Sequence, residues 1–240
     1  MSFRKTAAAL VLFGISFGYV EAAVVVYLRT IYDPVRARLH PDIPPDQLFP
    51  LIKIDELQAQ GPKLMRLLPI EVVREAGTML MLAAAALAVA HNARQWVAAF
   101  AVAFGMWDIF FYVFLRVLIG WPASLFTWDI LFLIPVLWDG PVLAPVLVSL
   151  SMIACGLVLL REEARGVRFR TVAAHWLVTI AGGLIVILSF AWDAPVLMAG
   201  GMPQPFRWPV FALGEALGLA AFAHAWRRSA SSLPDLSRRD

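Results

Sequence analysis

The sequence predicts an all-α fold: a polytopic membrane helical bundle of about six transmembrane helices, the fourth broken near Asp139, with both termini cytoplasmic. Three observations carry this. Of the 240 residues, 61% are hydrophobic and only 15% charged, where a soluble domain carries about 25% charged residues, and the mean hydropathy is +0.76. Apolar runs of roughly one membrane thickness recur along the chain. Basic residues gather in short clusters at alternate ends of those runs, the pattern that sets orientation in a membrane.

The runs are bounded by charges or by Pro and Gly. They place helix one over Ala7 to Leu28, helix two over Ile70 to Ala90, helix three over Trp96 to Ile119, and helix four within Trp128 to Leu160. Helix five follows over Val172 to Trp192 and helix six over Trp208 to Trp226. The first run is too long for a signal-peptide core and reads as a retained span. The fourth is too long for one straight helix, and Pro135, Gly140, Pro141 and Pro145 weaken its hydrogen bonding. Residues 1–228 are thus expected to form a single transmembrane domain. Residues 229–240, Ser-rich and polar, are expected as a disordered cytoplasmic tail.

Arg4, Lys5, Arg94, Arg161, Arg165, Arg168, Arg170, Arg227, Arg228, Arg238 and Arg239 fall on one side of this topology, which the positive-inside rule makes cytoplasmic. The opposite side holds Arg207 and a long loop, 29–69, whose bases are nearly matched by Asp33, Asp42, Asp46, Asp55 and Glu56. Its Pro-rich first part is expected to be extended, and Leu51 to Leu68 to form a helix at the outer surface. The expected location is a cell membrane, plasma or inner, crossed several times.

Charges inside the spans are the functional signal, because an ionised group in hydrocarbon costs several kcal/mol or more and faces protein or water. On helix two, Glu71, Arg74, Glu75 and Thr78 share one stripe at i, i+3, i+4 and i+7. On helix three, Asp108, Tyr112 and Arg116 recur at steps of four. Glu21 stands with Gly14 and Gly18, and Glu215 with Gly214 and Gly218, so small residues would admit a neighbouring backbone beside each acid. Counting the rise per residue puts these charges in the outer half of the bundle. The expected ligand-binding set is Glu21, Arg74, Glu75, Asp108, Tyr112, Arg116, Asp139 and Glu215. Asp139 joins it because it lies in Trp138-Asp139-Gly140-Pro141, where a broken helix would expose backbone groups. Glu71 reads instead as an acid complementing the helix dipole after Pro69, and Asp129 and Asp193 as interfacial caps after Trp128 and Trp192.

Other chemistries lack a motif. There is no GxxxxGK[ST], GxGxxG or HExxH, and the single GxSxG match, Gly14-Ile15-Ser16-Phe17-Gly18, lies inside the first apolar run and not at a strand-to-helix turn, so serine hydrolase, nucleotide-binding and zincin mechanisms are unsupported. The single Cys155 precludes an internal disulfide. His91, His175 and His224 fall at cytoplasmic helix ends, where neutral imidazoles could hold a metal or haem, but they lack the close spacing of a metal motif, so no metal is assigned and the cofactor stays open. The excess of three positive charges belongs to membrane orientation and not to nucleic acid.

The reading that follows is a multi-pass membrane protein that binds or translocates a small solute or ion, with a proton or cation balancing the surplus of acids. Two alternatives stay open. One is an intramembrane enzyme acting on a lipid or lipid-linked substrate by carboxylate acid/base chemistry. The other is an anchor or assembly subunit whose charges meet partner membrane subunits. In every case membrane lipids surround the chain.

Overall fold

A computed structural model describes residues 2–44, 47–167, 169 and 171–230. In chain order it contains α1 (Phe3–Leu39), α2 (Ile54–Ala59), α3 (Pro62–Met65), α4 (Leu67–Val89) and α5 (Ala93–Ile119). A hairpin of β1 (Trp128–Phe132) and β2 (Trp138–Pro141) follows, then α6 (Leu143–Ala164), α7 (Ala173–Ala191), α8 (Ala194–Met198) and α9 (Trp208–Ala230). Among them are 6 helical stretches long and apolar enough to cross a membrane: α1, α3 with α4, α5, α6, α7 with α8, and α9. The all-α membrane bundle expected from composition is therefore the fold. Asp46, Arg168, Arg170, Arg238, Arg239 and most of the expected tail lie outside the described residues.

Three segments differ from expectation. The stretch 29–39, expected as extended loop, continues α1 as helix through Pro34. Its last turns are tied down by Arg36, which pairs with Asp33 at 3.3 Å and donates to the carbonyl of Gln47. The expected surface helix over 51–68 is two short helices, α2 and α3, separated at Gly61, whose φ of 105° belongs to a region that side-chain-bearing residues rarely adopt. The start of the fourth span, expected as helix broken near Asp139, is the antiparallel hairpin, and the helix proper begins at Leu143. Proline and glycine deny this stretch a helical ladder. Pairing Asp129 with Gly140 and Ile130 with Asp139 gives its backbone groups partners inside the protein.

Helix boundaries follow local chemistry. Asn92 caps α5 by accepting from the backbone N–H of Gln95 at 2.9 Å, and Gly120, with φ 70°, closes it. Pro69 sits in the first turn of α4, where its missing N–H costs no bond. That start at Leu67 puts Glu71 one turn inside the helix and not at its end.

The spans assemble as two packed bodies. α5 is central to the larger, lying parallel to α1 and antiparallel to α6, with α4 leaning on it; α7 and α9 form the second. Small residues set these contacts. A Cβ on Gly18 would lie 2.9 Å from the Trp107 carbonyl oxygen, one on Gly105 would lie 2.6 Å from that of Ser149, and one on Gly182 would lie 2.7 Å from that of Gly214. Between the bodies the contacts are sparse, made mainly by β2 against α7 and by α6 against α9.

Gly105→Val should therefore force α5 off α6, at about 1–3 kcal/mol from overpacking alone, and lower the melting temperature of the detergent-solubilised protein. Gly77→Ala, where a Cβ meets nothing within 4 Å, should leave it unchanged or raise it.

Candidate functional site

The gap between the two bodies is a cleft of about 1390 Å³ running most of the length of the bundle, from Leu48 and Ile54 at the loop end to Arg94 and His175 at the terminal end. Most of its lining is apolar. Of the expected site residues, Glu21, Arg74, Glu75, Asp108, Tyr112 and Glu215 all line it, whereas Arg116 and Asp139 do not.

The polar groups are distributed along the wall as separate clusters. At the loop end, Arg74 on α4 forks onto Glu71, with Nε to Oε2 at 2.9 Å and Nη2 to Oε1 at 2.5 Å. Its Nη1 reaches Glu21 on α1 at 2.5 Å and donates to Thr78 at 3.2 Å, while the Thr78 hydroxyl donates to Glu21 at 3.4 Å. The helix-two stripe thus does face protein. Glu71 belongs to this cluster as a bidentate partner of Arg74, which the expectation of a dipole-complementing acid missed. One turn on, Glu75 accepts the backbone N–H of Leu133 at 2.9 Å, holding the hairpin tip against α4.

Deeper in, Asp108 on α5 accepts from the Ser149 hydroxyl of α6 at 2.8 Å, and Glu215 on α9 accepts from Ser151 at 2.8 Å. Among the described residues no cation pairs with Glu75, Asp108 or Glu215. Tyr112 donates to Asp129 at 3.0 Å. Asp129, expected as an interfacial cap, is a buried strand residue lining the cleft. Burial pushes its carboxyl up to about 6, against the pull of nearby Arg29 and the Tyr112 hydroxyl. Arg29 itself lies over Trp121, its guanidinium carbon 4.0 Å from the ring centroid.

The two remaining expected residues stand apart. Arg116, in the last turn of α5, is exposed and donates to the carbonyls of Gly120 and Pro122, closing the helix end. Asp139 points to the far side of the hairpin, toward Asp193 and Arg207. Asp193, the other expected cap, instead pairs with Arg207 at 3.0 Å and accepts the N–H of Gln204 at 2.8 Å. Asp139 is 2% exposed and its Oδ1 has no hydrogen-bond partner. Burial, then the Asp193 carboxylate, raise it from an ordinary 3.8 to about 7, with Arg207 opposing.

At the terminal end, His175 Nδ1 accepts the Val172 N–H at 3.0 Å, and His175 Nε2 meets His224 Nδ1 at 2.8 Å. His91 stays apart at the start of α5, its N–H bonded to Gln95. Among the described residues no three His, Cys, Asp or Glu side chains are placed to hold a metal ion. Arg29, Glu71, Asp129, Ser149 and Ser151 are the site residues that sequence reasoning missed. The serines carry no signal by themselves, while Arg29 lies at an apolar boundary where it was counted with the loop.

This fold and cleft define a multi-pass membrane protein with a largely apolar interior cavity bearing discrete ionisable groups. No protein-family model, curated protein or solved structure matches the chain.

Arg74→Ala should leave Glu21 and Glu71 without their cation and cost about 3 kcal/mol or more, read as a lowered melting temperature. Replacing Arg74 and Glu21 together by Met and Gln should cost less than Arg74→Ala alone. For Asp139 the folded state binds the proton more tightly than the unfolded one between about pH 4 and 7, so stability falls as pH rises through that window. Asp139→Asn should flatten this part of the melting-temperature profile and raise stability at pH 8.

Proposed function

We propose that the protein binds a small amphiphilic solute in the cleft between its two helical bodies and carries it across, or along, a cell membrane. The cleft is the observation that carries this reading. Its volume exceeds the few hundred to about 1,000 Å³ of ordinary small-molecule pockets. Its walls are mostly apolar, and its ionisable groups are concentrated toward the loop end. A wholly polar solute would leave most of that wall uncompensated, and a wholly apolar one would leave Glu75, Asp108 and Glu215 facing hydrocarbon. An elongated molecule with one polar end matches both. The three acids without cation partners supply groups that a proton could neutralise as the ligand moves.

The orientation that suits this reading places the loop end outside. Arg4, Lys5, Arg94, Arg161, Arg165, Arg227 and Arg228 share the terminal end, which the positive-inside rule assigns to the cytoplasm.

Gently extracted protein examined by native mass spectrometry, with identification of co-purifying lipids and metabolites, tests the reading. A stoichiometric amphiphile is the expected result. Gly183→Phe places an aromatic ring where a Cβ meets nothing within 4 Å and the residue lines the cleft, so it should remove that ligand without loss of folding. A ligand-free wild type that purifies with partner subunits would replace this reading with an assembly role.

A further inference from the structure

Arg29 differs from the other arginines of the cleft wall. Arg74 is shared between Glu21 and Glu71, Arg94 holds Glu163 at 2.7 Å, and Arg36 holds Asp33 and the Gln47 carbonyl. Among the described residues, no carboxylate lies within ion-pair distance of Arg29 and no oxygen accepts a hydrogen bond from it. What positions it is the face of Trp121, 4.0 Å away. Trp121 is 4% exposed, packed with Ala22, Tyr112, Leu115 and Val142, so the platform under the guanidinium is fixed by the core.

Two acids act on this charge at a distance without pairing with it. Asp129 is the acid that acts on it most strongly, but its Oδ2 accepts the Tyr112 hydroxyl and neither oxygen forms an ion pair with Arg29. Asp33, one turn along α1, is taken by Arg36 at 3.3 Å. A planar fork with five N–H donors, pre-set by stacking and half-buried beside an apolar wall, is suited to a planar or tetrahedral oxyanion. Val25 and Leu28 line the cleft on the same helix face, so an apolar chain attached to that oxyanion would run directly onto the wall.

We propose that Arg29, stacked on Trp121, is the receptor for an oxyanion head group, phosphate or carboxylate, of the amphiphile whose apolar body occupies the cleft. This rests on the cleft being a ligand site, and it adds the sign and chemistry of the head group. The oxyanion could belong to a lipid or to a soluble anion, and the two are separable by experiment.

The full chain, reconstituted in neutral phosphatidylcholine nanodiscs, is titrated with hexadecyl phosphate, hexadecanol and inorganic phosphate, following tryptophan fluorescence. Wild type should bind hexadecyl phosphate at least about tenfold more tightly than hexadecanol, the worth of a charge-assisted hydrogen bond. Arg29→Gln should bring the two alkyl probes to within about twofold while leaving hexadecanol binding unchanged. Arg29→Lys, which keeps the charge but loses the fork, should fall between them, and it serves if Arg29→Gln melts early. Equal affinity for both alkyl probes in wild type, or a preference that survives in Arg29→Gln, would overturn the assignment of Arg29 and leave the cleft reading standing. Inorganic phosphate binding as tightly as hexadecyl phosphate would overturn the amphiphile as the source of the anion. Failure of every probe to bind would overturn both.

Discussion

In a bilayer, helices gain nothing by hiding leucine from lipid, so this bundle is held where backbones come closest. Gly14 and Gly18 bring α1 onto α5, Gly105 and Gly156 bring α5 onto α6, and Gly182 with Gly214 brings α7 onto α9. These contacts link the helices within each body and do not join one body to the other. The cleft lies where these contacts stop: the two groups meet mainly through β2 with α7 and α6 with α9, and the space between them is lined mostly by apolar side chains.

The polar groups obey the companion constraint, that nothing ionisable is left against hydrocarbon without a partner or a use. Arg74 answers it for Glu21 and Glu71, and the Leu133 N–H, Ser149 and Ser151 answer it in part for Glu75, Asp108 and Glu215. These bonds also cross between elements. Glu75 fastens the hairpin to α4, Asp108 fastens α5 to α6, and Ser151 with Glu215 is one of the few links between the two bodies. A ligand or proton acting on Glu215 would therefore act on the seam along which the bodies could move.

Much of the wall was legible in the chain. The stripe of Glu71, Arg74, Glu75 and Thr78, and the glycines beside Glu21 and Glu215, point inward because a charged stripe on an apolar helix has only one tolerable direction. Arg116 continues the same spacing from Asp108 and Tyr112 yet closes a helix end. Periodicity gives the face of a residue, whereas Arg116 lies four residues before Gly120 and its long side chain reaches the free carbonyls there. Arg29 shows the reverse. It sits on the cleft because α1 continues past the apolar run, and the far end of that continuation is anchored by Arg36 to the carbonyl of Gln47, eleven residues away.

Hydropathy, charge placement and helical spacing are local sums, and from them alone follow the six spans, the inward stripes and the gathering of bases at one end. The hairpin, the partition into two bodies and which of the described cleft-wall arginines has no carboxylate within ion-pair distance were decided by the tertiary structure. Trp128 to Pro141 is apolar enough to read as helix, and only the pairing of Trp128–Phe132 with Trp138–Pro141 makes it a hairpin. Likewise, whether an arginine is neutralised depends on which carboxylates distant segments bring within reach, and no spacing along one helix contains that information.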